Sequence, residues 1–173
     1  MSYSVIAYLI DAEKVSSVYG SGKEVLYEKL KTKLHEDLER LDNLPGANSL
    51  KGYDAKAILK DIIDGVIRHP EMAYMYGYVY EQLCAYYGEL IYSNENLWEL
   101  DKQSAFIPIP FSEDFPHIIS IKKEYLEEKK AAYLSLEKGK GIGDYDYEEE
   151  MEDLEDIFDT AIEKQKDLVI CCY

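Results

Sequence analysis

The stretch SYSVIAYLI, residues 2–10, alternates with a period of two and is rich in Val, Ile and Tyr, which predicts a β-strand. One face would carry Val5, Ala7 and Leu9, the other Tyr3, Ile6, Tyr8 and Ile10. A strand apolar on both faces has to be covered on both, so it belongs in the interior of a small sheet. The other β-like run, Leu168–Tyr173, is its expected partner. The residues between the two read mostly as helix. The expected fold class is therefore α+β: a mainly helical single domain over residues 1–173, with about five or six helices around a small sheet that pairs the N- and C-terminal strands.

Asp11–Val18 is expected to make one or two helical turns before Gly20-Ser21-Gly22. Ser21 and Glu24 have the spacing of a capping box, and Leu26, Leu30, Leu34, Leu38 and Leu41 form one apolar stripe, predicting a helix that ends near Asp42. A second helix, capped by Asp54, should run through Arg68 with Ile58, Ile62, Ile63, Val66 and Ile67 inward. A third, Glu71–Tyr87 with Gly88 as C-cap, is apolar nearly all round and reads as central; Tyr74, Tyr78, Ala85 and Glu81 fall opposite Tyr76, Val79 and Leu83. Asn94–Lys102 predicts a short helix carrying Trp98, and the prolines make Ile107–Phe111 extended. Helical spacing resumes at Ile118, with Ile121, Tyr125, Ala132, Tyr133 and Leu136 inward, until Gly139, Gly141 and Gly143. The last helix is expected over Asp146–Lys166.

Charge is the strongest functional signal. The chain has 173 residues, with Lys plus Arg 19 against Asp plus Glu 35, a formal net charge of −16. That balance argues against nucleic acid or an anionic membrane as partner and for a basic protein. Asp144–Asp159 holds ten carboxylates in sixteen residues, and residues 144–173 carry −10 while the rest of the chain carries −6. Glu148, Glu149, Glu152, Asp153, Glu155, Asp156 and Asp159 are the candidate partner-binding residues, since such a face steers and holds a cationic surface. Tyr74 and Tyr78 are candidate contact anchors. The plain alternative is a solvated helix face.

Other motifs are weaker. Asp144, Asp146, Glu148 and Glu155 stand at positions one, three, five and twelve of a calcium loop, but Glu149 occupies the position that needs Gly. Gly139–Gly143 lacks the spacing of a phosphate loop. His35, His69 and His117 match no metal-ligand spacing, and Cys84 in the central helix reads as a small hydrophobe. No catalytic residue, metal or cofactor is assigned. The N-terminus has no basic segment, and Val5–Ile10 is too short for a signal peptide or a span, so a cytoplasmic location is expected. Cys84, Cys171 and Cys172 should be free thiols, the vicinal pair pointing to opposite faces of a strand.

Ser4–Leu9 leading to Gly20-Ser21-Gly22, the stretch from Tyr76-Gly77-Tyr78 through Cys84 to Gly88-Glu89, and Asp167-Leu168-Val169 together resemble an uncharacterised bacterial family of short acidic proteins, a domain of unknown function. The resemblance implies one fold from end to end and carries no catalytic residues. In physical type the chain is also similar to immunity proteins, which neutralise toxins. The expected function is thus an acidic inhibitor of a basic protein, most concretely an immunity protein, and not an enzyme. The alternatives are a phage-type nucleic-acid mimic that inhibits a defence protein, and an enzyme with an unfamiliar site around Cys84 or a histidine.

Overall fold

Strand β1 (Tyr3–Ile10) lies between two neighbours, where a strand apolar on both faces has to be. The computed structural model describes residues 3–44, 52–96, 104–112, 116–140 and 147–173. Along the chain β1 is followed by α1 (Ala12–Ser16), α2 (Glu24–Lys33), α3 (His35–Asp42), α4 (Ala55–Asp64), α5 (Ala73–Tyr87), β2 (Glu89–Asn96), β3 (His117–Ile121), α6 (Leu126–Lys140), α7 (Tyr147–Glu163) and β4 (Asp167–Cys172). The sheet order is β2-β1-β4-β3 and every pairing is antiparallel. β1 meets the C-terminal strand as expected, from Val5↔Cys172 to Ile10↔Asp167.

Alternation along the strands divides the core in two. Tyr8, Ile10, Ile118, Val169 and Cys171 face the layer of α1 to α5, with Leu30, Leu38, Ile58, Ile62 and Val79 among its buried residues. Val5, Ala7, Leu9, Ile119, Ile121, Ile170 and Cys172 face α6 and α7 through Leu126, Tyr133, Leu154 and Phe158. The sheet is thus the middle layer of an α+β domain. The two vicinal cysteines fall on opposite faces, and all three are free and buried.

Several elements differ from the sequence reading, each for a local reason. The expected helix ending near Asp42 is two helices that break at Leu34, although its leucine stripe is buried from Leu30 to Leu41. It begins at Glu24 and has no Ser21 capping box. Gly20 and Gly22, both at positive φ, turn their N–H groups to the carbonyls of Ile62 (3.0 Å) and Ile63 (2.8 Å), so this turn caps the end of α4. Helix α4 starts on Asp54 as expected but stops at Gly65, left-handed at φ 71°, where the N–H groups of Gly65 and Val66 close a Schellman motif on Ile62 and Asp61. Val66 and Ile67 are consequently exposed.

Central helix α5 is apolar all round as expected, and Gly88 at its end is extended, leading the chain straight into β2. Residues 94–96, expected to open a helix, end that strand; Trp98 and the rest of the expected helix lie outside the described residues. His117–Ile121 is a strand where helix was expected, because its isoleucines alternate across the sheet, and α6 begins only at Leu126. Tyr125 and Ala132 are accordingly exposed, Leu126 and Tyr133 are buried, and Gly139 lies inside α6. Among the described residues no helix is long and apolar enough to cross a membrane.

Candidate functional site

Helix α7 is seventeen residues long and carries nine carboxylates and no Lys or Arg. It forms because one stripe, Leu154, Ile157, Phe158 and Ala161, packs on the sheet. The acids gathered in its first turn also suit the positive end of the helix dipole.

Three of the expected binding residues are held from within the fold. Glu155 and Asp159, one turn apart, take the Lys130 ammonium of α6 at 2.9 and 2.7 Å. Burial pulls the Lys130 ammonium down, but Asp159 and Glu155 outweigh it and hold its pKa above the ordinary lysine value. Asp153 accepts a 2.7 Å hydrogen bond from the Tyr92 hydroxyl of β2. Glu152 and Asp156 are exposed, as is Glu163 beyond them, and they meet no cation among the described residues. Glu148 and Glu149 stand on α7, but their side chains lie outside the described residues.

Tyr74 and Tyr78 belong to a different surface. Both are half-buried on α5, across the sheet from α7, so the expected acids and tyrosines do not form one patch. The Tyr78 ring stacks on Tyr173, with centroids 5.6 Å apart, and burial first, Glu81 second, push its phenol pKa up.

Glu81 departs from its expected outward position. It is 4% exposed and accepts a 2.9 Å hydrogen bond from the buried Tyr8 hydroxyl. Burial raises its pKa to about 7, partly offset by Tyr8 and by Arg40, while Asp37 adds to the rise. In the unfolded chain Glu81 ionises near 4.5; between 4.5 and about 7 the folded state therefore binds more protons, and stability falls as pH rises through that window. The difference corresponds to about 3 kcal/mol at and above neutral pH. Glu81→Gln, which keeps an acceptor for Tyr8, is expected to remove this slope and to raise the urea midpoint at pH 8, as measured against wild type across the window. An identical slope in both proteins would refute the assignment.

The remaining candidates are placed as follows. Cys84 is fully buried and burial pushes its thiol up, the opposite of what a nucleophile needs. His35 pairs with Glu39 at 3.2 Å and His69 with Glu71 at 2.8 Å, while His117 lies on β3. Asp144 and Asp146 of the calcium-loop pattern lie outside the described residues, its second half is helical, and Glu155 is taken by Lys130. Among the described residues no group of three or more His, Cys, Asp or Glu could hold a metal.

No curated protein and no solved structure matches this chain. One family model does, over residues 1–173. The chain belongs to the family described as a domain of unknown function, DUF7691.

Proposed function

We propose that the protein is a binding protein that holds a basic protein partner against the exposed acids of α7 and acts as its inhibitor, most concretely as an immunity protein that neutralises a toxin. One observation carries this reading. A helix with nine carboxylates is met by a single described internal cation, Lys130, which leaves Glu152, Asp156 and Glu163 exposed together. Like charges so close repel in the free protein, and a cationic surface relieves that repulsion on binding. The same field would speed encounter and make it sensitive to salt.

The test begins with capture of partners from the source cell's lysate at low and high salt, followed by association kinetics with the purified partner. Glu152→Lys, Asp156→Lys and Glu163→Lys are combined in one variant, because none of the three has an internal partner among the described residues. Asp153, Glu155 and Asp159 are left intact, since they tie α7 to β2 and α6. The variant is expected to keep its thermal midpoint and to associate on the order of tenfold more slowly at low ionic strength, with a shallower salt dependence. Unchanged association kinetics would sink the proposal.

A further inference from the structure

We propose that the cleft between β3, the Ser104–Phe106 segment and the start of α6 binds a small organic anion with a planar apolar body, an aromatic ring bearing a carboxylate or phosphate. The cleft has a volume of about 710 Å³ and falls in the size range of small-molecule sites, roughly 300–1,000 Å³. Its apolar wall includes Ile121 and Tyr133, both nearly buried, and the half-exposed ring of Tyr125.

Its charge sets it apart from the rest of the chain. Among its described lining residues are Lys122 and Lys129 and no carboxylate, in a protein where acids outnumber bases 35 to 19. Both lysines are exposed, and neither has an ion pair among the described residues. Helix α6 presents adjacent lysines to different tasks: Lys130 is spent on the α7 acids, and Lys129 faces the cleft. Glu124 and Glu128 adjoin Tyr125 and Lys129 in sequence but are not among the described lining residues, so the ammonium groups are the charges nearest a ligand in the cleft.

The edge of β3 distinguishes a small ligand from an added strand. Two of its outward backbone groups are already used: the Ile118 carbonyl accepts the Ser104 N–H at 2.8 Å, and the Ser120 N–H donates to the Ser104 hydroxyl at 3.0 Å. A peptide seeking strand addition finds these groups satisfied. What is left to recognise a ligand is two ammonium groups beside aromatic rings.

Amide shifts of the full chain would be followed by NMR on titration with indole carboxylate and with phenyl phosphate. Inorganic phosphate and neutral indole carboxamide serve as controls. At least one aromatic anion is expected to give saturable shifts centred on Ser120, Lys122, Tyr125 and Lys129. Affinity should fall on the order of tenfold for the carboxamide and for a Lys122→Gln/Lys129→Gln variant with an unchanged thermal midpoint. The proposal is overturned if neither aromatic anion shifts these amides, if the carboxamide or bare phosphate binds as well, or if the variant keeps full affinity. None of these outcomes depends on the partner of α7.

Discussion

Gly88→Ala is expected to destabilise the protein by about 3 kcal/mol or more, a large effect for one added methyl group. At φ −123° the backbone of Gly88 is open to any residue, so the cost is one of space. A Cβ built there would lie 2.5 Å from the Leu9 carbonyl oxygen, 2.6 Å from the Ile10 Cγ2 and 2.7 Å from the Cys84 carbonyl oxygen. Two of these are backbone atoms, one in β1 and one in the last turn of α5, so relief requires the central helix to lift off the central strand. Two other glycines calibrate the effect. At Gly77 the nearest atoms are side-chain carbons of Pro116 and Ile118, at 3.0 and 3.4 Å, which can give way. Gly22 has nothing within 4 Å but sits at φ +61°, so Gly22→Ala should cost only about 1–2 kcal/mol, for the left-handed backbone. Urea denaturation of the three alanine variants is expected to place Gly88 well above the other two. A Gly88→Ala protein within about 0.5 kcal/mol of wild type would contradict the close approach of α5 to β1.

That approach also bears on how much of the molecule is legible in its sequence. The two-sided strand and its C-terminal partner are local patterns, and they define the sheet's interior and the α+β class. β2 is not legible in the same way: the stretch ELIYSNEN ends in polar residues, Leu90 is exposed, and the strand is held mainly by its backbone pairing with β1. The short strand His117–Ile121 runs almost directly into α6, and two elements so close read as one helical pattern. Glycines mislead for a similar reason. Gly20 and Gly22 look like the stop and start of neighbouring helices, whereas their amides serve a helix forty residues later in the chain, an arrangement visible only once α4 is docked.

The candidate site divides along the same line. The concentration of acids on α7 is plain in the sequence. Which of them are available is not, because Lys130 and Tyr92 reach Glu155, Asp159 and Asp153 from α6 and β2. Glu81 shows the converse: a helical wheel groups it with half-buried Tyr74 and Tyr78 and exposed Ala85, but it is itself buried because its partner Tyr8 reaches it from β1. The lysine-lined cleft was equally out of reach, since it is assembled from residues before β3, on β3 and on α6.

Asp61→Ala is expected to cost about 3–5 kcal/mol, because it removes the acceptor that holds together three segments around α4. Asp61 is 1% exposed. Its carboxylate accepts from the Tyr76 hydroxyl of α5 at 2.6 Å, from the Tyr53 hydroxyl ahead of α4, and from both the backbone N–H (3.2 Å) and the guanidinium of Arg68 after it. Three of these donors converge on Oδ2, and the Arg68 guanidinium takes Oδ1. Alanine would leave the buried Tyr76 hydroxyl without its acceptor and Arg68 with Asp64 alone, while asparagine, with its oxygen toward Tyr53 and Tyr76, would turn its amide nitrogen on the Arg68 guanidinium. Burial first, then Asp61, raises the Tyr76 pKa, which keeps this phenol a neutral donor. Arg68 is half-exposed and also reaches Asp64 at 3.3 Å, so its own truncation should cost less than the loss of Asp61. A double-mutant cycle separates the shared network from simple loss of packing: Tyr76→Phe is expected to cost about 1.5–3 kcal/mol in wild type and much less in the Asp61→Ala background. Equal costs in the two backgrounds would mean that Asp61 and Tyr76 stabilise the protein independently. The four-donor network would then not be what locks α4 to α5.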